Sequence, residues 1–97
     1  MTPEERAKVI HERARLAMMS ALAARKRLSF SELRELLGLT DGNLSVHAAV
    51  LEDHGLIRGK KEFVDKKPRT TFAITDKGER EFARYVEELE RMLGQGK

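Results

Sequence analysis

Leu39-Thr40-Asp41-Gly42-Asn43-Leu44-Ser45-Val46-His47-Ala48-Ala49-Val50-Leu51-Glu52-Asp53-His54-Gly55-Leu56-Ile57 opens as a capped helix, ends on a glycine and leads into a strand. Thr40 has the residue type of an N-cap. Asp41 adds negative charge at the positive end of the helix dipole. Leu44, Ala48 and Leu51 recur at helical spacing and form an inward stripe, with His47 or Val50 at its edges. That leaves Asp41, Gly42, Asn43, Ser45, Val46 and Ala49 outward or at the tip. A first turn this slim and polar fits a major groove. Asn43 can hold an adenine edge bidentately, Ser45 can serve a phosphate or a base, and Val46 can touch a thymine methyl. Asp41 counts against such docking, because a carboxylate repels phosphate; it serves instead as a cap partner or as an acceptor for a cytosine amino group. Taken alone, the segment is equally an ordinary capped helix of a small bundle.

The flanks add the context. Leu28-Ser29-Phe30 reads as a short extended piece, and Ser31 as the cap of a helix carrying Leu33, Leu36 and Leu37. Gly38 ends that helix. Gly38-Leu39-Thr40 is then the turn of a helix-turn-helix. At the N-terminus, Thr2-Pro3-Glu4-Glu5 has the form of a capping box with proline at the first helical position. That helix is expected to run to about Arg25, with an irregularity near His11. Leu16, Met19, Leu22 and Ala23 form its inner stripe, and Val9 and Ile10 a second apolar patch. The run Arg25-Lys26-Arg27 suits a helix C-terminus.

Downstream, Ile57 to Val64 has strand character, with Phe63 its clearest core residue. Asp65-Lys66-Lys67-Pro68 has turn composition, and Arg69 to Thr75 returns as a strand with Phe72 and Ile74 on one face. Thr75 caps a last helix to about Leu93. Gly78 falls in its first turn, where glycine costs roughly 1 kcal/mol relative to alanine; close approach of a neighbouring element would explain it. Phe82, Val86, Leu89 and Leu93 make a heptad-like seam, and Gly94-Gln95-Gly96-Lys97 is expected to fray. The expected fold is mainly α with a small β-hairpin, in the order α-β-α-α-β-β-α. It forms one domain over residues 1–97, with an N-terminal helix (1–27), a helix-turn-helix (31–55), a hairpin (57–75) and a C-terminal helix (76–93).

Charge placement shifts the reading toward DNA. The net charge of +3 is small. Yet Arg58, Lys60, Lys61, Lys66, Lys67 and Arg69 cluster against only Glu62 and Asp65, while the last helix carries more acids than bases. A local basic block on a nearly balanced chain suits a polyanion. A basic hairpin after a helix-turn-helix is a wing. Its tip, with Lys66, Lys67 and Arg69, can follow the backbone or enter a minor groove, with Lys60 and Lys61 as peripheral phosphate contacts. Thr40 and Gly42 would approach phosphate through hydroxyl or backbone groups. A small domain gains from self-association. Val9 and Ile10 at one end, and Val86, Leu89, Met92 and Leu93 at the other, suit a symmetric homodimer built from the terminal helices.

Other classes find little support. The chain has no cysteine, hence no disulfide or thiolate site. His47 and His54 lie seven residues apart, roughly 10 Å along a helix, too far for one ion. We expect no metal and no cofactor. No phosphate-cradling glycine loop, G-x-S-x-G or H-E-x-x-H occurs, so an enzyme is not expected. No run approaches the roughly 18 apolar residues of a membrane span, and the acidic start is unlike a signal peptide. The expected location is the cytoplasm, with no membrane partner.

Phe30-Ser31-Glu32-Leu33, Leu39-Thr40-Asp41-Gly42-Asn43-Leu44-Ser45, His47, Leu51-Glu52, Gly55-Leu56-Ile57, Pro68-Arg69-Thr70 and Thr75-Asp76-Lys77-Gly78 together resemble the small winged-helix transcriptional regulators related to the MarR and ArsR families. The resemblance spans nearly the whole chain. It implies a cytoplasmic, homodimeric regulator that binds double-stranded DNA sequence-specifically. The recognition tip corresponds to Thr40 through Val46 and the wing to Lys66 through Arg69. Half-sites would lie about one helical turn, roughly 34 Å, apart or slightly more. Lacking cysteine, the chain does not carry over the thiol-based metal response of the ArsR type. It has little material for the effector pocket of larger MarR proteins. The rival reading is a winged helix that docks an acidic protein partner through the same basic hairpin. A structural module with no nucleic-acid role is a third.

Overall fold

The computed structural model describes residues 1–94. Its elements are α1 (Pro3–Ile10), α2 (Arg13–Arg25), β1 (Arg27–Ser29), α3 (Phe30–Leu37), α4 (Asp41–Asp53), β2 (Ile57–Val64), β3 (Lys67–Ile74) and α5 (Asp76–Gly94). The mainly helical class and the element order are as expected, with one addition: the N-terminal helix is two helices. The chain breaks at His11 and Glu12. Glu12 leaves helical geometry and its carboxylate accepts from the Arg15 N–H, restarting the helix as an N-cap. That hydrogen bond comes with a burial cost that opposes it, and the net effect holds the Glu12 carboxyl below the usual range.

The break folds α1 back toward α5, and the core follows from it. Val9 and Ile10 are buried with Met18, Met19, Leu22, Leu28, Leu33, Leu44, Ala48, Leu51, Leu56, Ile57, Phe72 and Tyr85. Each fully buried aliphatic side chain contributes about 1.5–3 kcal/mol. Val9 and Ile10 are therefore committed to this chain's own interior. They do not form the spare apolar surface expected of them.

Helix α3 starts two residues earlier than its composition suggests. Ser29, not Ser31, is the cap. Its hydroxyl accepts from the Glu32 N–H at 3.1 Å, while Glu32 accepts the Ser29 N–H at 2.9 Å. Only Ser29 has a carboxylate three residues on; Ser31 has Arg34. At the other end Gly38 takes a left-handed φ of 65°, which ends the helix without Cβ strain.

The sheet has three antiparallel strands in the order β1-β3-β2. Leu28, Phe72 and Ile57 face the helices and are buried. The hairpin then continues beyond the core. Phe63, opposite Pro68 in register, is 79% exposed, so it is not a core residue. The turn is shorter than expected. Only Asp65 and Lys66 lie between the strands, both with positive φ (52° and 65°), the geometry of a tight two-residue hairpin turn. Helix α5 begins where the Thr75 hydroxyl accepts from the Gly78 N–H at 2.9 Å. The expected close approach at Gly78 is present: a Cβ there would stand 2.0 Å from the Leu56 carbonyl oxygen. Of the C-terminal segment expected to fray, Gly94 closes α5, and Gln95, Gly96 and Lys97 lie outside the described residues.

Candidate nucleic-acid interface

Helix α4 packs on its apolar stripe and leaves its first turn bare. Leu44, Ala48 and Leu51 are buried, whereas Thr40, Asp41, Gly42, Asn43, Ser45, Val46 and Ala49 are exposed. The Thr40 hydroxyl accepts from the Asn43 N–H at 3.1 Å and fixes the helix start. A Cβ on Gly42 would meet nothing within 4 Å, so packing inside the chain does not require glycine there. Its backbone is open to whatever approaches. Among the described residues, neither the Asn43 side-chain amide nor the Ser45 hydroxyl has a partner within the chain. Val46 is 61% exposed, an apolar group at the centre of a polar tip.

Asp41 finds its counterpart across the turn. Arg34, the last basic residue of α3, donates to its carboxylate at 2.8 Å, and this hydrogen bond with its charge raises the Arg34 guanidinium further. The helix tip thus carries a neutralised pair rather than a bare carboxylate, which removes the objection that Asp41 raised. The seven-residue spacing from Arg34 to Asp41, spanning the Gly38 turn, was the available signal.

The tip is also held from behind. Arg15 donates to the Val9 carbonyl at 2.6 Å and lies 3.1 Å from His47 Nδ1 through a second guanidinium nitrogen. With Arg15 as donor, His47 accepts there, and Glu12 stands 3.6 Å from the same ring nitrogen. The end of α1, the start of α2 and the middle of α4 are tied through one side chain. Sequence reasoning placed His47 at an inner edge but missed Arg15 and Glu12, because no local pattern marks a contact 32 residues away.

The hairpin supplies the charge. Lys60, Lys61, Lys66 and Lys67 are exposed, and among the described residues none has a carboxylate within ion-pair distance. Arg69 differs: it lies 3.4 Å from Glu32. The strand alternation separates the other two, with Lys60 opposite Thr71 and Lys61 opposite Thr70, so they point to opposite faces of the sheet. Of the residues expected at a self-association surface, Val86 and Leu89 are half-buried against the core, and Met92 and Leu93 are exposed by 69% and 71%. A groove of about 230 Å³ between α1 and α5 is lined by Pro3, Ala7, His11, Tyr85, Leu89 and Met92 among others. His11 and Tyr85 hydrogen-bond at its wall.

Residues 14–93 match the winged helix DNA-binding domain family. The chain belongs to that family. A protein of uncharacterised function from Methanocaldococcus jannaschii is 33% identical to this winged-helix chain over 82 residues, covering 84% of this chain and 89% of the relative. The structure of a transcriptional regulator homologue from Pyrococcus horikoshii superposes with a TM-score of 0.87 at 35% identity, over 92% of this chain and 88% of that one. A putative MarR-family regulator from Enterococcus faecalis shares the fold at a TM-score of 0.72 and 21% identity, over 96% and 80% of the two chains. The resemblance read from the sequence is borne out: this is a winged-helix domain with the fold of transcriptional regulators. Among the described residues no helix is long and apolar enough to cross a membrane.

Proposed function

We propose that this winged-helix chain is a sequence-specific DNA-binding transcriptional regulator acting as a cytoplasmic homodimer, one domain per subunit. Helix α4 enters the major groove, where Asn43, Ser45 and Val46 read base edges and Thr40 and Gly42 meet phosphate. Lys66 and Lys67 bring the wing to the backbone or minor groove. The observation that carries this reading is the exposed first turn of α4, where the Asn43 and Ser45 side chains have no partner among the described residues, beside a hairpin whose Lys60, Lys61, Lys66 and Lys67 form no ion pair among them. The Arg15 tie joins α4 to α1 and α2, and α1 packs in turn on α5. A dimer joined through α5 and the α1–α5 groove would therefore hold its two recognition helices at a set distance.

The DNA experiment uses binding titrations on selected and random duplexes at several salt concentrations. Lys66→Ala/Lys67→Ala removes two lysines from each subunit of the dimer, and should weaken all duplexes by a similar factor and reduce the salt slope by about 4. Asn43→Ala should cost about 1–3 kcal/mol per half-site on the selected duplex and relax preference at one base pair of each half-site. Full affinity in both variants would sink this docking. Loss of affinity for an acidic protein partner, with no duplex binding even at low salt, would favour the rival role.

Association is checked separately by sedimentation. The chain should run as a dimer, and Met92→Glu/Leu93→Glu should shift it toward the monomer, since both residues are exposed and outside the core. A monomeric mass for the unaltered chain at tens of micromolar would remove the dimer.

A further inference from the structure

The solvent face of the sheet carries a second cationic site, remote from the wing tip. Arg27 on β1 and Arg58 on β2 both lie in register with Ala73 on β3, one on each side. Lys60 and Ser29 flank Thr71 in the next row. The two arginines are therefore two strand spacings apart, about 9.6 Å. Between them lie only the small side chains of Ala73 and Thr71, leaving a trough of about 230 Å³ lined by Arg27, Arg58, Lys60, Glu62, Thr71 and Ala73. Arg27, Arg58 and Lys60 are exposed, and among the described residues none has a carboxylate within ion-pair distance. Glu62 is the one acid lining the trough. It sits opposite Arg69 in register, at the end facing the wing tip.

This site cannot share phosphates with the tip. Arg58 is six residues from Val64, where β2 ends at the Asp65–Lys66 turn, about 20 Å at 3.3 Å per residue. At 3.4 Å per base pair that span corresponds to about six base pairs of duplex. The Glu62–Arg69 row, with Glu32 on Arg69, sets two carboxylates against one guanidinium between the two cationic ends.

We propose that this open sheet face is a second DNA-backbone contact, taking phosphates of the duplex that flanks the half-site and curves past the wing. The proposal rests on the DNA-binding reading above. Charge complementarity and continuity with the wing on the same hairpin identify the occupant: one rod-like polyanion can meet both ends of the hairpin. Two guanidinium groups flanking a shallow trough of small side chains suit phosphate oxygens, which arginine grips bidentately.

The test compares a duplex of about 20 base pairs, two helical turns, carrying the sequence the protein selects from a random pool, with the same duplex extended by about 12 base pairs of unrelated sequence at each end. The wild-type chain should bind the extended duplex about five- to tenfold tighter, with a salt slope steeper by about 4, as two added phosphate contacts from each subunit of the dimer require. Arg27→Ala/Arg58→Ala should bind the short duplex as wild type does and lose the gain from extension. Arg27→Gln/Arg58→Gln, with unchanged melting, repeats the comparison with the side-chain bulk kept. Equal gains in wild type and variants would overturn the second contact. So would no gain in wild type, an equal loss on the short duplex, or a polyglutamate peptide displacing the flank as well as free duplex does. Failure of the wild type to bind either duplex would instead bring down the DNA-binding reading itself.

Discussion

Gly78→Ala should lose about 3 kcal/mol or more of folding stability, lowering the melting midpoint by 12 °C or more at about 4–8 °C per kcal/mol for a domain of this size. Overpacking typically costs 1–3 kcal/mol, because neighbours can shift. Here the neighbour is backbone. The added Cβ would stand 2.0 Å from the Leu56 carbonyl oxygen and 2.9 Å from Ile74 Cγ1. That carbonyl accepts from both the N–H and the hydroxyl of Thr75, each at 3.1 Å, so moving it breaks the junction between β3 and α5. Urea unfolding followed by far-ultraviolet circular dichroism measures the loss. Gly42→Ala is the control: open space surrounds that position, and stability should hold. A Gly78→Ala cost below about 1 kcal/mol would refute the close approach.

Arg6→Met should cost about 3–5 kcal/mol, the usual result of removing one partner from a buried ion pair. Arg6 donates to Glu81 at 2.9 Å and to Glu88 at 2.6 Å, and both Arg6 and Glu81 are buried. Burial pushes the Glu81 carboxyl up, but Arg6 and the Met1 amino group outweigh it and hold it below the usual carboxylate value. A carboxyl depressed in the folded state adds stability that is fully present above its unfolded pKa, about 4.3, and is lost as pH falls through the folded value. The wild-type urea midpoint should therefore fall as pH drops below about 4.3. Glu81→Gln should be less stable at neutral pH and should lose part of that acid dependence. Arg6→Met within 1 kcal/mol of wild type, or an acid profile untouched by Glu81→Gln, would show that the network contributes little.

Much of this molecule was legible because its decisive signals are local. The Thr40 cap, the stripe of Leu44, Ala48 and Leu51, the Gly38 stop and the Gly78 approach all depend on spacing within a few residues. The misreadings came where tertiary context decided. Phe63 shares strand alternation with Phe72, but the hairpin outruns the helices that would cover it. Val9 and Ile10 looked surplus on a straight helix; the Glu12 cap bends the chain and turns them inward. Ser31 was as good a cap as Ser29 by type, and the distinction lay in the carboxylate three residues on. At the candidate interface the exposed tip was readable from its complement, the buried stripe. The Arg34–Asp41 pair and the Arg15 tie were not, since they join separate elements.

The opposite orientation of Lys60 and Lys61 has a consequence for how this hairpin can change over evolutionary time. Faces alternate with every residue, so inserting one residue between Gly59 and Lys60 would exchange them. Lys61 and Phe63 would move to the outer side, and Lys60 would turn toward the helices. Substitutions edit the charge map one position at a time, whereas a one-residue change in length inverts it. Descendants of this sequence should therefore vary the arm's length in steps of two, each step moving the tip by about 7 Å while preserving which cations look outward.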